Sequence, residues 1–270
     1  TNNTGTSVDL TSLTINEVGQ FLFKNTGNET ITIPTFNLDP DDTQRIEIGN
    51  ENDGDIVIGA AANITGTQGL KTISLKTFND GDITLGTPGT SGLPDLQNIN
   101  SIALIASKNG NITLGDLGAT TSINKISSLS MTTEGGAISI GNIKAKKIDA
   151  FNASGNEFSS ISIGNIEISE AIDLITLSGD TSITLGNFTG DGTVKLDASN
   201  MTKMGINLNF SALGGSVDVT ATGEDDLISL GIEGGKVMSG GGNDNIIVAA
   251  NATGNSDITT GDGVDIITLS

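Results

Sequence analysis

Two stretches near the C-terminal end combine glycine and aspartate in a pattern suited to holding a hard cation. Ser239-Gly240-Gly241-Gly242-Asn243-Asp244-Asn245-Ile246-Ile247 is followed, 21 residues on, by Thr260-Gly261-Asp262-Gly263-Val264-Asp265-Ile266-Ile267-Thr268. A weaker copy precedes them, with Gly223, Asp225 and Leu227 in the matching places and Thr220 and Ala221 where glycines would stand. Glycines allow a tight turn that aims backbone carbonyls at one point, and the aspartate adds an anionic oxygen. The apolar residue after it points inward and anchors the loop. Calcium takes six to eight oxygens at about 2.3–2.6 Å, more than one turn supplies, so two successive turns would share an ion. The candidate ligands are the carboxylates of Asp225, Asp244 and Asp265. The backbone carbonyls of Ser239, Gly240, Gly241, Gly242, Gly261 and Gly263 would join them.

Such turns need a scaffold that stacks them. The scaffold is written in a repeated phrase: Ile83-Thr84-Leu85-Gly86, Ile112-Thr113-Leu114-Gly115, Ile138-Ser139-Ile140-Gly141, Ile161-Ser162-Ile163-Gly164, Ile183-Thr184-Leu185-Gly186 and Ile228-Ser229-Leu230-Gly231. Ile46-Glu47-Ile48-Gly49 and Ile56-Val57-Ile58-Gly59 are looser copies. Apolar, polar, apolar, glycine describes a short strand with one buried face, followed by a bend. The closing glycines from Gly59 to Gly186 recur every 22 to 29 residues, and the gap from Gly186 to Gly231 is about two such steps. One strand phrase per period of this size indicates a solenoid.

Each period also carries further strand patterns, at 70–78, 99–105 and 126–131, with turns such as Asn79-Asp80-Gly81-Asp82, Lys108-Asn109-Gly110 and Glu134-Gly135-Gly136 between. Gly, Asn and Asp recur there because turns need residues that tolerate positive φ. Long stretches of 3.6-residue periodicity are missing and β-branched residues dominate. The expected fold is all-β: a right-handed parallel β-helix with coils of about 22–29 residues, in preference to antiparallel sandwiches. Residues 1–50 repeat less clearly. Phe21-Leu22-Phe23 and Ile31-Thr32-Ile33 read as two strands around a turn, Pro40-Asp41-Asp42 as another turn, and the whole as an irregular segment or cap. Residues 51–219 form the body and 220–270 the cation-binding coils that continue it. Thr1-Asn2-Asn3-Thr4-Gly5 reads as a linker, and Ile266-Ile267-Thr268-Leu269-Ser270 stops inside a strand phrase, so the chain reads as a piece of a longer protein.

Composition narrows the function. The 270 residues carry 32 acidic against 12 basic side chains, a net charge of −20. Nucleic acid is an unsuitable partner, because phosphate binding needs clustered Lys and Arg. No apolar run is long enough to span a bilayer as a helix. The chain has no Cys, His, Trp or Tyr and only 8 Phe. That excludes disulfides, thiolate sites and His-assisted nucleophiles, and leaves Ile, Leu, Val and Ala to fill a narrow core.

The paired glycine-aspartate turns match the calcium-binding nonapeptide G-G-x-G-x-D-x-U-x, where U is apolar. In the first copy Gly240, Gly242, Asp244 and Ile246 fit, with Ser239 for the first glycine. In the second Gly261, Gly263, Asp265 and Ile267 fit, with Thr260 for the first glycine. The chain resembles bacterial S-layer proteins of the RTX class, through these motifs over residues 220–270 and through composition and repeat style elsewhere. The family carries nonapeptides on both edges of its roll. Here 248–256 has none, so a one-sided calcium ladder is expected.

The resemblance implies secretion, an extracellular location at the cell surface, calcium-driven folding outside the cell, and assembly with itself as a lattice or homo-oligomer. It also implies a cell-surface polysaccharide as a partner, bound through parts outside this stretch. RTX adhesins share these features and stand as the alternative.

Other candidates carry less. Asp53-Gly54-Asp55 and Asp80-Gly81-Asp82 precede strand phrases without flanking glycines and read as turns first. The outward Thr84, Thr113, Ser139, Ser162 and Thr184 would stack in one file, the ordinary polar face of a strand rather than a ligand array. A β-helix carbohydrate-active enzyme would need paired carboxylates. Glu167, Glu170 and Asp173 are the candidates and Arg45 is the lone arginine, but solvated turn and strand positions explain them, and the reading is non-enzymatic. The Asn-x-Ser/Thr triplets at Asn63, Asn111, Asn152 and Asn187 are what this much Asn, Ser and Thr produces by chance.

Overall fold

The computed structural model describes residues 19–270 apart from 34, 40, 42–43, 60–63, 90–91, 94–95 and 119–120, together with two short strands, Val8–Asp9 and Leu13–Thr14. The linker reading of residues 1–5, the glycosylation triplet at Asn63, and Pro40 and Asp42 of the expected turn lie outside the described residues.

Among the described residues there is no helix, and every strand pairing is parallel. The chain winds as a β-solenoid of about 10 turns. One face is the file of Ile-Thr-Leu-Gly phrases. Ile56, Ile83, Ile112, Ile138, Ile161 and Ile183 lie directly opposite one another from coil to coil, in a sheet that runs from Val8–Asp9 to Ser182–Leu185. A second face stacks Gln20–Asn25, Arg45–Asn50, Thr72–Thr77, Ser101–Ala106, Leu129–Thr133 and Phe151–Gly155 in register. Short strands such as Asp116–Leu117 and Ile143–Ile148 line a third side. The 14-residue strand Ile166–Gly179 runs along the third and second sides and joins them in one sheet.

Alternation decides which residues face inward, because successive strand side chains point to opposite faces. Both isoleucines of each phrase, or its Ile and Leu, go in and the Thr or Ser goes out. The interior is one continuous file of Ile, Leu, Val and Ala, in which Phe151, Phe188 and Phe210 are the largest fully buried side chains. Phe188 and Phe210 pack with centroids 4.7 Å apart and ring planes tilted by 37°.

The structure refines the expected phrase file in three places. Ile46-Glu47-Ile48-Gly49 belongs to the second face, with Ile46 opposite Ile73 rather than any phrase residue. Phe21-Leu22-Phe23 and Ile31-Thr32-Ile33 are indeed strands, yet they enter different sheets instead of pairing with each other. The long step between Gly186 and Gly231 contains the missing rung: Asn207–Asn209 pairs with Leu227–Leu230, placing Leu208 opposite Ile228. Leu208-Asn209-Phe210-Ser211 keeps the polarity of the phrase without its letters.

From residue 217 onward the coil tightens. Two sheets remain, Val217–Thr220, Gly235–Met238 and Ser256–Thr259 on one side, and Leu227–Leu230, Asn245–Val248 and Ile266–Leu269 on the other. Successive rungs there are 18 and then 21 residues apart.

Candidate metal centre

The glycine-aspartate turns stack at one edge of this two-sheeted end. The 239–244 turn lies over the 260–265 turn, with Gly241 bridged in parallel to Asp262 and the Asp262 N–H donating to the Gly240 carbonyl at 3.1 Å. Gly240, Gly242, Gly261 and Gly263 all have positive φ, between 82° and 136°. A side chain at Gly261 would put its Cβ 1.8 Å from the Gly240 carbonyl oxygen, and one at Gly263 would come 1.7 Å from that of Gly242. Glycine is therefore required twice over here, for the turn itself and for the close approach of the next coil. Ser239, in the first-glycine place, is fully buried, and its hydroxyl donates to the Thr260 carbonyl at 3.0 Å.

The aspartates form a ladder, with one change of membership. The Asp244 N–H donates to Asp265 Oδ1 at 3.0 Å, and the Asp226 N–H donates to Asp244 Oδ1 at 3.0 Å. Asp226 Oδ1 in turn accepts from the Ile206 N–H at 2.7 Å. The carboxylate in line with Asp244 and Asp265 is thus Asp226, and the expected place of Asp225 in that file is corrected by one residue. Asp225 is exposed, and its Oδ1 accepts from the Asn243 N–H at 2.6 Å. The physical reason is the inward alternation of the following strand. Ile228 and Leu230 are buried and pair with Ile246 and Val248, which fixes Asp226 opposite Asp244. The phrase Ile228-Ser229-Leu230-Gly231 carried that signal, but the reading of Leu227 as the inward residue of a nonapeptide overrode it.

Burial makes this edge electrostatically unusual. Asp244 is 1% exposed and Asp226 3% exposed. Asp244 Oδ2 is buried without a hydrogen-bond partner. Burial pushes the Asp226 carboxyl above its ordinary value. Hydrogen bonds from the Ile206 and Thr222 N–H groups and the Thr222 hydroxyl oppose that shift, while the charge of Asp244 adds to it. Among the described residues no Lys or Arg forms an ion pair with Glu224, Asp225, Asp226, Asp244, Asp262 or Asp265. Residues 217–270 hold nine acidic side chains and one lysine, Lys236. A buried carboxylate without a counter-charge is costly, and a bound cation supplies that charge. The residues present fit a hard divalent cation through the orphaned Asp244 oxygen and the surrounding backbone carbonyls. Among the described residues no three acidic side chains converge into a cage of their own, so carbonyls would have to supply much of the shell.

The remaining sequence candidates take structural places. Asp55 Oδ1 accepts from the Asp82 N–H at 3.0 Å, and Asp82 Oδ1 from the Asn111 N–H at 2.8 Å. A Cβ at Gly54 would come 2.3 Å from the Glu29 carbonyl, and one at Gly81 2.4 Å from that of Asn52. Both Asp-Gly-Asp triplets therefore close turns against the preceding coil. Thr84, Thr113, Ser139, Ser162 and Thr184 do stand in one outward file. Arg45 pairs with Glu47 in its own strand. Glu167 pairs with Lys144 at 3.0 Å and Asp173 with Lys147 at 2.8 Å.

A second ladder escaped the sequence reading. The N–H groups of Asn142, Asn165 and Asn187 donate in turn to Asp116 Oδ1, Asn142 Oδ1 and Asn165 Oδ1, at 2.8 to 3.0 Å. Its signal was present as an Asp or Asn directly after Gly115, Gly141, Gly164 and Gly186.

No family model matches the chain, and neither does any curated protein or solved structure. Among the described residues no helix is long and apolar enough to cross a membrane.

Proposed function

We propose that this chain is part of a calcium-stabilised structural protein of a bacterial surface layer, working outside the cell and associating with copies of itself. The observation that carries the reading is the edge at 222–226, 239–244 and 260–265. There two buried carboxylates stand one coil apart, one of them with an orphaned oxygen, beneath glycine turns that press backbone carbonyls together. Calcium would be held by Asp226, Asp244 and Asp265, with backbone carbonyls of Ser239, Gly240, Gly241, Gly242, Gly261 and Gly263. When bound, it supplies the positive charge that this edge lacks.

The chain's own residues do the rest. The aspartates join successive coils through side-chain-to-backbone bonds, and the inward Ile246 anchors the loop to the core. Where free calcium is scarce, repulsion between Asp226 and Asp244 weakens these coils. Where it is abundant, binding stabilises the folded state by mass action, about 2.7 kcal/mol at a hundred times Kd. A long parallel solenoid with an acidic surface suits a mechanical or lattice role, and its acidic side chains at 167 and 173 are engaged in ion pairs with lysines.

The test is thermal unfolding of the purified chain in calcium, in magnesium and in chelator, beside an Asp244→Ala/Asp265→Ala variant. The reading expects calcium to raise Tm well above magnesium or chelator, and expects the variant to lose that response. Equal stability in all three conditions sinks it.

A further inference from the structure

The Asn ladder of the body spends only half of each amide. The Asn165 N–H fixes Asn142 Oδ1 as an acceptor at 2.9 Å, and the Asn187 N–H does the same to Asn165 Oδ1 at 3.0 Å. An oxygen held by a backbone N–H decides which end of the amide is which, so each Nδ2 is left as the free donor pair. Neither Nδ2 donates to any group among the described residues, and both side chains are exposed. They line a groove of about 390 Å³ that crosses four coils, from Asp116 to Thr189. Its far wall, two residues further along each coil, carries Lys144, Glu167 and Thr189 in register. The volume is in the range of small-ligand sites, about 300–1,000 Å³.

The chemistry of the lining selects the ligand. The one cation, Lys144, is already paired with Glu167 at 3.0 Å, and Asp116 adds a further negative charge. Phosphate-bearing and acidic polymers are therefore repelled rather than held. No aromatic ring lines the groove, so a ligand meets hydrogen-bonding groups and not a stacking platform. The donors repeat at the coil spacing, about 4.8 Å. An extended peptide presents same-side carbonyls about 6.7 Å apart and falls out of step with them. A polymer with hydroxyl oxygens on every unit offers an acceptor at each rung. The donors are also pre-ordered, because the bond to Oδ1 fixes each amide before anything binds, and pre-ordering lowers the cost of association.

We infer that this groove binds an uncharged glycan chain lying along the solenoid axis. The Nδ2 groups of Asn142 and Asn165 donate to hydroxyl oxygens of successive sugar units, and the Thr189 hydroxyl serves the next rung. The ladder thus has two uses for one side chain: Oδ1 closes the coil and Nδ2 faces the ligand. Each contact is a single neutral hydrogen bond, so affinity comes from the number of rungs engaged. The site lies in the body, apart from the calcium edge, and its occupation does not depend on calcium.

The test is a proton–nitrogen NMR titration that follows the side-chain amide signals of Asn142 and Asn165. The probes are oligomers of glucose, of mannose and of N-acetylglucosamine, one to four units long, with oligogalacturonate as the acidic control. An Asn142→Asp/Asn165→Asp variant keeps both Oδ1 acceptors and removes both donors. Asp116, whose Oδ1 accepts the Asn142 N–H at 2.8 Å, shows that this column holds a carboxylate without losing the coil bond. Asn152→Asp/Asn200→Asp adds the same two charges at exposed positions outside the groove. The expected result is saturable movement of both signals with at least one neutral series, and an affinity that rises at least tenfold from one unit to three. The donor-less variant should lose at least tenfold and the charge control should bind like the wild type. Signals that stay still with every neutral series, preference for oligogalacturonate, a donor-less variant that binds normally, or a charge control that loses as much, each overturn the inference. None of these results touches the calcium reading, which the thermal comparison tests separately.

Discussion

The body and the C-terminal end solve the same corner problem with different chemistry. In both, a side-chain oxygen at the corner accepts a backbone N–H from a neighbouring coil. In the body amides share the corners with half-exposed carboxylates: Asn142 and Asn165 continue the ladder that Asp116 begins, and Asn111 continues the one through Asp55 and Asp82. Some carboxylates on the body's other faces are matched by lysines, as in the run Lys125, Asp149, Lys147 and Asp173. At the end, Asp226, Asp244 and Asp265 occupy the corner with no lysine in reach. An Asn ladder closes a coil under any ionic condition. On the proposed function, the buried Asp ladder of the end closes only when its charge is balanced, and folding of the end then answers to the medium.

Four perturbations sharpen or break this contrast. The largest is Phe188→Ala, which empties the centre of the body and should cost about 3–5 kcal/mol. It should lower Tm in calcium and in chelator alike, whereas a loss seen only in chelator would blur the division between the regions. Gly261→Ala comes next. Its φ of 82° and a Cβ 1.8 Å from the Gly240 oxygen predict about 1–3 kcal/mol of strain, together with a weakened calcium response in titration calorimetry.

The third is acid, and the regions should respond in opposite directions. Asp226 is raised above 3.8, chiefly by burial. Its folded form binds a proton more readily than the unfolded chain does, so its penalty is full above the folded value and fades as pH falls towards 3.8. Asp149, lowered first by Lys125, and Asp197, lowered first by the Ser199 hydroxyl, stabilise above 3.8 and lose that contribution as pH falls through their depressed values. In chelator, protection of amides at 222–245 relative to the unfolded chain at the same pH should rise between neutral pH and the region just above 3.8. Protection around 149 and 197 should fall only below it.

The smallest is Asn165→Ala. It removes the acceptor of the Asn187 N–H at an exposed corner and should cost about 0.5–1.5 kcal/mol, independent of calcium, by thermal unfolding.

The solenoid was legible because its phrase repeats literally. Ile112-Thr113-Leu114 and Ile138-Ser139-Ile140 each state inside, outside, inside, and stacking demands that they coincide. The rung at Leu208-Asn209-Phe210-Ser211 was hidden because the physics preserves polarity, not identity: Phe fills the place of Leu against Phe188, and Ser replaces the bend glycine. The glycine turns at 239–244 and 260–265 were legible for the same reason as the phrase. The file through Asp226 was not. Glu224-Asp225-Asp226 offers adjacent carboxylates, and only the burial of Ile228, a property of the coil beyond the turn, selects the second aspartate.

The most direct measurement is region-resolved hydrogen exchange of the wild-type chain in calcium and in chelator at neutral pH. The account predicts that chelator accelerates exchange at least tenfold over 222–270 and leaves 72–180 unchanged. Exchange over 222–270 that is equally slow in both conditions would contradict it, and the Asp ladder would then be as self-sufficient as the Asn ladder.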